Sequence, residues 1–276
     1  MSELDESELT RQPIGIFDSG VGGLSVLREI RALLPHESLI YCADSGYAPY
    51  GDKSQAQIRK RSLELGEFLI EQGAKAIVIA CNTATAAAAT AMRERWPDVP
   101  IIAMEPAVKP AAAATKAGVV GVLATVGTLA SAQFAALLDN FGQGTRVVTR
   151  PGIGLVEAVE QGDVDSENLR GRLRRHLTPL LEEGADVIVL GCTHYVFLRE
   201  SIQLLVGDDV RLIDTGRAVA RQLAHKLEER QLLQVAGPRD TRYWTSGNAK
   251  VFQQTLARLL REVASPSVLP ISRVFA

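Results

Sequence analysis

The sequence predicts an α/β protein with mainly parallel sheets, because short apolar runs alternate along it with longer segments of helical spacing. Buried strands are indicated by IGIF, SLIYCA and AIVIA in the first part of the chain and by VVGVL, RVVT, VIVLG and VRLID in the second. Between residues 54 and 72, apolar side chains recur with helical spacing, which is typical of a helix packed on such a sheet. The 276 residues are enough for two domains of ordinary size.

An internal repeat divides the chain into two similar halves. Residues 69–83 (LIEQGAKAIVIACNT) match residues 180–194 (LLEEGADVIVLGCTH) without a gap, and seven of the thirteen positions ending at the cysteine are identical. A weaker match pairs IGIFDSGVGG at 14–23 with VGVLATVGTL at 120–129. A chance likeness between two strand–helix units is the alternative. We expect two similar three-layer α/β domains, related by an approximate two-fold axis, with the functional site in the cleft between them.

The expected domain boundaries follow this repeat. Residues 1–12 are acidic and polar and are expected to be a disordered leader. The first domain is expected over residues 13–107 plus 211–264, and the second over residues 108–210. Residues 265–276 carry two prolines and are expected to be a loose tail.

Composition and charge exclude several classes of protein. The net charge is −2 and no basic stripe stands out, which argues against a nucleic-acid partner. No run of 18 apolar residues is present, which argues against a membrane span, and the N-terminus lacks the apolar segment of a signal peptide. A cytoplasmic location is therefore expected. Three cysteines, an odd number, argue against a disulfide framework and are expected to be free thiols.

Cys81 and Cys192 stand at matched places in the repeat, each directly after a predicted buried strand. Ligands of open parallel sheets bind beyond the carboxyl ends of the strands, and the start of a following helix lowers the pKa of a thiol. We therefore expect both thiols in the site, with pKa values lowered towards neutrality. Cys42 lies inside an apolar strand and is predicted to be a core residue.

Two opposed thiols are compatible with three kinds of chemistry. A redox pair is one, but the sequence has no C-x-x-C motif. A zinc site of Cys81, Cys192 and His194 is the second, but the spacing matches no standard zinc motif. Proton transfer at one carbon is the third: one thiolate removes a proton from one face and the opposite thiol delivers one to the other. Only the third makes use of the two-fold symmetry, and it is the favoured interpretation.

The DSGVGG segment lies between a predicted strand and a helix, and its glycines let the backbone approach a small anion closely. The G-x-G-x-x-G spacing of a dinucleotide loop is absent. Asp18 in this segment suits an ammonium group or a thiol proton, and the alternative is a cap for the following helix.

Three further groups are candidates for the site. The PYG turn offers an unobstructed N–H at Gly51, although a purely structural turn is the alternative. Glu157 and Glu160 lie about one helical turn apart, and either can face the site or solvent. His194, two residues after Cys192, can tune or carry the proton, or it can be a buried structural histidine.

The motifs DSGVGG, PYG, ACNTA and GCTHY occur in the order found in the aspartate/glutamate racemase superfamily. From about Pro13 to Leu260 the chain resembles the glutamate racemases of that superfamily. The resemblance implies an isomerase that interconverts L- and D-glutamate without pyridoxal phosphate or metal and supplies D-glutamate for peptidoglycan. It also implies two α/β domains with the C-terminal segment returning to the first.

The same resemblance implies roles for individual residues. By motif, Cys81 and Cys192 are the two acid/base catalysts, one for each face of the substrate, assisted by Asp18, Glu160 and His194. Substrate binding is implied for Asp18, Ser19, Tyr50, Gly51, Asn82, Thr83, Thr125, Thr128, Thr193 and His194. Two positions depart from the family pattern: Val196 follows GCTHY where proline is common, and Val126 stands in LATVGT where a basic residue is usual.

The partner implied by the resemblance is the small-molecule substrate glutamate. A homodimer is one assembly open to such an enzyme, and a cell-wall precursor, which activates some relatives, is a candidate activator. Two alternatives remain open: aspartate racemase or another isomerase of the superfamily, and a non-catalytic protein that binds small acids.

Overall fold

Two parallel sheets form the framework of the computed structural model, which describes residues 6–141, 144–237 and 239–270. The strands are β1 (Ile14–Asp18), β2 (Leu39–Ala43), β3 (Ala76–Ile79), β4 (Ile101–Ile102), β5 (Val119–Ala124), β6 (Arg146–Pro151), β7 (Val187–Gly191), β8 (Arg211–Ile213), β9 (Thr241–Thr245) and β10 (Ser267–Val268). The helices are α1 (Glu6–Arg11), α2 (Leu24–Leu33), α3 (Gln55–Glu71), α4 (Asn82–Arg95), α5 (Val108–Ala114), α6 (Val126–Leu129), α7 (Ala132–Phe141), α8 (Leu155–Glu160), α9 (Glu167–Glu182), α10 (Arg199–Val206), α11 (Gly216–Glu229) and α12 (Ala249–Leu260). Two 3₁₀ helices span Tyr50–Asp52 and Thr193–Leu198.

The two sheets share one strand order. The first runs β10-β9-β2-β1-β3-β4 and the second β6-β5-β7-β8, and every neighbouring pair in the described residues is parallel. The order β2-β1-β3-β4 is therefore repeated as β6-β5-β7-β8. This matches the sequence repeat, which pairs β1 with β5 and β3 with β7. The predicted fold class, two similar α/β domains with mainly parallel sheets, is confirmed.

Each sheet is covered by helices on both faces. Along β1, Ile16 packs into one hydrophobic core with α2, whereas the next residue, Phe17, packs into another with α3 and α4. Along β7, Ile188 packs with α9, whereas Val189 packs with α5 and α7. Since successive side chains of a strand point to opposite faces, each domain has three layers.

The helix that precedes each matched strand ends in the same way. α3 ends at Glu71 and is followed by Gly73 with φ +80°, and α9 ends at Glu182 and is followed by Gly184 with φ +86°. A left-handed glycine just after a helix is a common terminator, because glycine has no Cβ to clash in that region. The repeat therefore extends from helix end to strand end.

Three predicted boundaries need correction. β8 pairs with β7, so the boundary between the second and first domains falls after Ile213 and not before residue 211. The leader is not disordered throughout, because Glu6–Arg11 form α1 and the Lys75 ammonium donates to the Thr10 carbonyl at 2.6 Å. The tail is not loose throughout, because β10 extends the first sheet beside β9. The remaining leader residues 1–5 and tail residues 271–276 lie outside the described residues.

The C-terminal segment returns to the first domain, as expected. β9 pairs with β2 along its whole length, and α11 packs against α2. None of the described helices is long and apolar enough to cross a membrane.

The left-handed glycines provide a test of the fold. We expect Gly184→Ala to destabilise the protein by about 1–2 kcal/mol, because alanine is strained at that φ. Gly171→Ala is the matched control: Gly171 lies within α9, no atom stands within 4 Å of an added Cβ, and alanine there should stabilise by about 0.5–1 kcal/mol. Urea unfolding of both variants measures this, and equal effects of the two substitutions would contradict the proposed helix terminator.

Candidate active site

A cavity lies between the two domains at the carboxyl ends of the central strands. Of the residues predicted to act there, those that line it are Ser19, Tyr50, Gly51, Cys81, Asn82, Thr83, Thr125, Thr128, Cys192, Thr193 and His194. Asp18 and Glu160 do not line it and stand behind lining residues. The remaining lining residues are Pro49, Asp52, Val126, Gly152, Ile153, Gly154, Val156, Glu157, Gly191 and Tyr195.

Cys81 is the N-cap residue of α4, and its sulfur accepts a hydrogen bond from the Ala84 N–H at 3.4 Å. Its thiol donates to Ser19 Oγ at 3.7 Å, and that hydroxyl in turn donates to Asp18 at 3.5 Å. Burial, joined by the nearby charge of Asp18, raises the pKa of Cys81 to about 12, and the hydrogen bonds do not offset this. The expected lowering of the pKa by the helix start is therefore wrong for Cys81, because desolvation of the thiolate outweighs it.

Asp18 is completely buried at the end of β1. Its carboxylate accepts from the Gly20 N–H at 2.7 Å and from the Thr193 hydroxyl at 3.1 Å. Burial raises the pKa of Asp18 to about 6, against the opposing effects of the His194 charge and the Gly20 hydrogen bond. Asp18 does not cap α2, whose N-cap position is Gly23 without a side-chain bond. It therefore acts on the site through its charge and through Thr193.

Cys192 contacts a different set of neighbours. Its sulfur lies 3.7 Å from His194 Nδ1, and His194 Nε2 donates to Glu160 Oε1 at 2.7 Å. Burial disfavours the imidazolium, but hydrogen bonds with Cys192 and Glu160 and the charge of Asp18 outweigh it and raise the pKa of His194 well above its ordinary value. A 3₁₀ helix follows Cys192 where an α-helix was expected. The Cys192 sulfur therefore has a histidine beside it, whereas the Cys81 sulfur has the first turn of α4.

The DSGVGG loop wraps around the Glu160 carboxylate. The Val21 N–H donates to Glu160 Oε1 at 2.6 Å. A Cβ on Gly20 would lie 1.9 Å from that oxygen, and one on Gly22 would lie 2.2 Å from His194 Nδ1. These glycines do let the backbone approach an anion closely, as the sequence suggested, but the anion held here is a side chain of the same protein.

The two candidate glutamates occupy different places. Glu160, at the end of α8, forms the buried pair with His194, with 17% of its side chain exposed. Glu157 is exposed and lines the cavity itself. The spacing of one helical turn puts both on the side of α8 that faces the site, one at the cavity wall and one behind it.

Tyr50 lines the cavity, but its hydroxyl is directed elsewhere. It donates to Asp44 Oδ2 at 2.6 Å, and Asp44 forms a buried ion pair with Arg61 at 2.8 Å. Burial and the charge of Asp44 raise the pKa of Tyr50 well above its ordinary value. The hydroxyl of Tyr50 is thus a link to the framework and holds the PYG turn in place, which leaves the backbone of Gly51 facing the cavity.

Hydroxyl and amide groups provide much of the hydrogen-bonding capacity of the cavity, beside the ionisable side chains of Asp52, Glu157 and His194. Thr83, from the first domain, and Thr125 and Thr128, from the second, form a mutually hydrogen-bonded cluster with oxygen separations of 2.9–3.3 Å. Asn82 is buried, and its Oδ1 has no hydrogen-bond partner in the described part of the chain. No lysine or arginine is among the described residues that line the cavity. An acidic ligand is therefore met by hydroxyl and N–H donors, and a cationic group by an unoccupied amide oxygen.

The structure also bears on the other chemistries considered. All three cysteines are free, and Cys42 is fully buried in the core, as predicted. Across residues 6–141, 144–237 and 239–270, no three His, Cys, Asp or Glu side chains are grouped so that they could hold a metal ion. The zinc arrangement of Cys81, Cys192 and His194 is not formed there.

Sequence reasoning missed several contributors. The segment after β6, which includes Gly152 and Ile153, lines the cavity, as does the PYG turn that follows β2. Because β6 is the repeat partner of β2, the symmetry itself could have indicated it. Ser45, whose hydroxyl contacts Glu160, carried no sequence signal apart from its position after a strand.

A fold duplicated around one cavity, with a cysteine from each half at matched strand ends, is the arrangement expected of a racemase. The chain belongs to the Asp/Glu/Hydantoin racemase family, whose family model matches residues 15–223. The expectation of an isomerase of the amino-acid racemase type is confirmed.

Relatives agree over nearly the whole length. The glutamate racemase of Ectopseudomonas mendocina is 58% identical over 259 residues, which cover 94% of this chain and 98% of that protein. The glutamate racemase of Pseudomonas aeruginosa PAO1 is 56% identical over 243 residues, 88% of this chain and 92% of that protein. The predicted resemblance to glutamate racemases is therefore confirmed.

Solved structures agree with the fold. Glutamate racemase isoform RacE1 from Bacillus anthracis superposes with a TM-score of 0.86 at 33% identity and covers 96% of this chain and 98% of its own. Escherichia coli glutamate racemase, in complex with L-glutamate and the activator UDP-MurNAc-ala, gives a TM-score of 0.83 at 34% identity and covers 94% of this chain and 98% of its own. Aspartate racemase from Picrophilus torridus, at 15% identity and a TM-score of 0.54, shares the fold alone.

The buried carboxyl of Asp18 predicts a pH dependence of stability. Its folded pKa of about 6 lies above the ordinary 3.8, so the folded protein binds this proton more tightly than the unfolded chain. The resulting stabilisation is complete below pH 3.8 and is lost as pH rises through about 6, a difference of about 3 kcal/mol. Asp18→Asn cannot titrate, so its stability relative to wild type should rise between pH 4 and pH 7. The free energies of unfolding of the two proteins are measured in urea across this pH range. A constant difference between them would contradict the prediction.

The fit of His194 against the loop predicts the effect of one added carbon. Gly22→Ala should displace the His194 ring, because the new Cβ would stand 2.2 Å from Nδ1, and catalysis should fall about 10²-fold. Steady-state rates compared with those of Gly171→Ala, the same substitution far from the cavity, measure this. Unchanged rates in the Gly22 variant would show that the ring position is not critical.

Proposed function

We propose that this protein interconverts L- and D-glutamate by two-base proton transfer, with Cys81 and Cys192 as the acid/base groups and no cofactor. The observation that carries the proposal is that both thiols line one cavity while standing at matched positions of the repeat. The substrate is supported by relatives of 55–58% identity that are named glutamate racemase.

The reaction needs one thiolate and one thiol, placed on opposite faces of the substrate α-carbon. The thiolate takes the α-proton, the electron pair of the broken C–H bond stays on the substrate as a carbanion, and the opposite thiol donates its proton to the other face. The product is the other enantiomer, and the two sulfurs have exchanged protonation states. The reverse reaction, or exchange with water, restores the starting state.

The two arms of the site differ in a way that suits this sequence. The raised pKa of Cys81 keeps it a thiol, ready to donate. His194, whose pKa is raised well above its ordinary value, lies 3.7 Å from the Cys192 sulfur. The Ala84 N–H of α4 then stabilises a thiolate on Cys81 after it has donated.

Recognition of the substrate follows from the hydroxyl, amide and backbone groups that line the cavity. The free Oδ1 of Asn82 suits the α-ammonium group, which favours an amino acid over a plain dicarboxylic acid. The threonine cluster, Ser19 and the Gly51 backbone suit the carboxylates. Fixed dipoles that line the cavity stabilise a carbanion-like state without reorganising. Thr193, held by Asp18, completes the wall beside Cys192.

We further propose the cellular setting implied by the family. D-glutamate would be supplied for peptidoglycan in the cytoplasm, by an enzyme that acts on free glutamate as a small-molecule substrate. A homodimer and activation by a cell-wall precursor, of the kind bound to the Escherichia coli relative, belong to the same proposal.

Solvent exchange tests the reaction directly. In D₂O, the wild-type protein should convert either enantiomer of glutamate to the racemate with deuterium at the α-carbon, and Cys81→Ala and Cys192→Ala should each abolish racemisation. Cys42→Ala is the matched control, because this third thiol is buried in the core and away from the cavity, so its racemase activity should persist. Full racemase activity in either of the first two variants would defeat the two-cysteine mechanism.

The same assay separates the rivals. Racemisation of D-aspartate in preference to D-glutamate would assign a different substrate of the same chemistry. Binding of glutamate without deuterium uptake would assign a non-catalytic acid-binding protein.

A further inference from the structure

The Glu160 carboxylate is bound by three donors that come from both domains. Oε1 accepts from the Val21 N–H at 2.6 Å and from His194 Nε2 at 2.7 Å. Oε2 accepts from the Ser45 hydroxyl at 2.9 Å. Val21 and Ser45 belong to the first domain, whereas Glu160 and His194 belong to the second. In the described residues, Glu160 Oε2 is therefore held across the domain boundary by the Ser45 hydroxyl.

We propose that Ser45 is a positioning residue for the Cys192 arm: its hydroxyl holds the Glu160 carboxylate, across the domain boundary, in the orientation that hydrogen-bonds His194. Ser45 lies two residues after the end of β2 and does not line the cavity, so it does not touch the substrate. Its effect passes through Glu160 and His194 to the Cys192 sulfur, 3.7 Å from the imidazole. This inference rests on the proposed two-base reaction.

The Cys81 arm does not share this contact. Cys81 is linked to Ser19, Asp18 and the start of α4, and none of these is bonded to Ser45 in the described residues. Loss of the Ser45 hydroxyl should therefore affect proton transfer at one face of the substrate and spare the other.

Racemisation rates alone cannot reveal this asymmetry. The two enantiomers have equal free energy in water, so kcat/KM has to be the same in both directions for every variant. Elimination of HCl from 3-chloroglutamate avoids the constraint. One thiolate takes the α-proton, the C–H electron pair forms the C=C bond, and chloride leaves from Cβ. The enamine product then reacts with water to give 2-oxoglutarate and ammonium.

Each α-enantiomer of 3-chloroglutamate should lose its proton to one cysteine, and the Cys192→Ala variant identifies which enantiomer depends on Cys192. We expect Ser45→Ala to slow elimination from that enantiomer about tenfold, the size of one lost hydrogen bond to a charged group, and to leave the other within about twofold. Ser45→Thr keeps the hydroxyl and should restore the rate. Ser246→Ala is the matched control, because its hydroxyl accepts from the neighbouring Gly46 N–H at 3.0 Å and is not bonded to Glu160 in the described residues.

The outcomes separate the two proposals. Equal slowing of both eliminations in Ser45→Ala, or rates equal to those of Ser246→Ala, would overturn the role of Ser45. A wild-type protein that neither racemises glutamate nor eliminates HCl would instead overturn the proposed function.

Discussion

The contact between the Glu160 carboxylate and the DSGVGG loop connects the two domains at the point where proton transfer is proposed. A half-buried carboxylate is costly unless charge and hydrogen bonds compensate it, and here the Val21 N–H, the Ser45 hydroxyl and the His194 imidazolium do so together. The Val21 and Ser45 donors come from the first domain, whereas the His194 donor comes from the second. The carboxylate that hydrogen-bonds the imidazolium beside Cys192 is therefore held by donors of the first domain as well.

The paired framework places the two sulfurs at one cavity, and burial there raises the pKa of Cys81. Strand order, helix ends and left-handed glycines repeat between the halves, so Cys81 and Cys192 reach the same cavity from matched strand ends. The stabilising tethers around them differ. A Lys75–Glu37 pair at 2.6 Å anchors the start of β3, whereas the repeat partner of Lys75, Asp186, accepts the backbone N–H groups of Lys116 and Ala117 before β5. Similar backbones are thus held by unlike side chains.

Much of this arrangement could be predicted from the sequence, because its signals are local. A buried strand, a glycine after a helix and a cysteine at a strand end all lie within fifteen residues, and they repeat. The purpose of the DSGVGG glycines could not be predicted, because a glycine shows only that a side chain is absent. What fills the space is Glu160, 139 residues away from Val21. Two further features also depend on contacts between residues far apart in the sequence. They are the pairing of β8 with β7 and the burial that raises the pKa of Cys81.

Two-base racemisation requires that the two thiols differ at every moment, since one has to carry the proton that the other lacks. A perfectly symmetrical site would treat them alike. Divergence within the repeat removes that symmetry: Asp18 near Cys81 corresponds to Ala124, and His194 near Cys192 corresponds to Thr83. In the proposed mechanism, burial and the Asp18 charge raise the pKa of Cys81 and so favour the state in which Cys81 carries the proton. The proposed reaction thus starts from two unequal thiols, although the glutamate enantiomers have equal energy, and each turnover has to be followed by its reversal or by exchange of a proton with water.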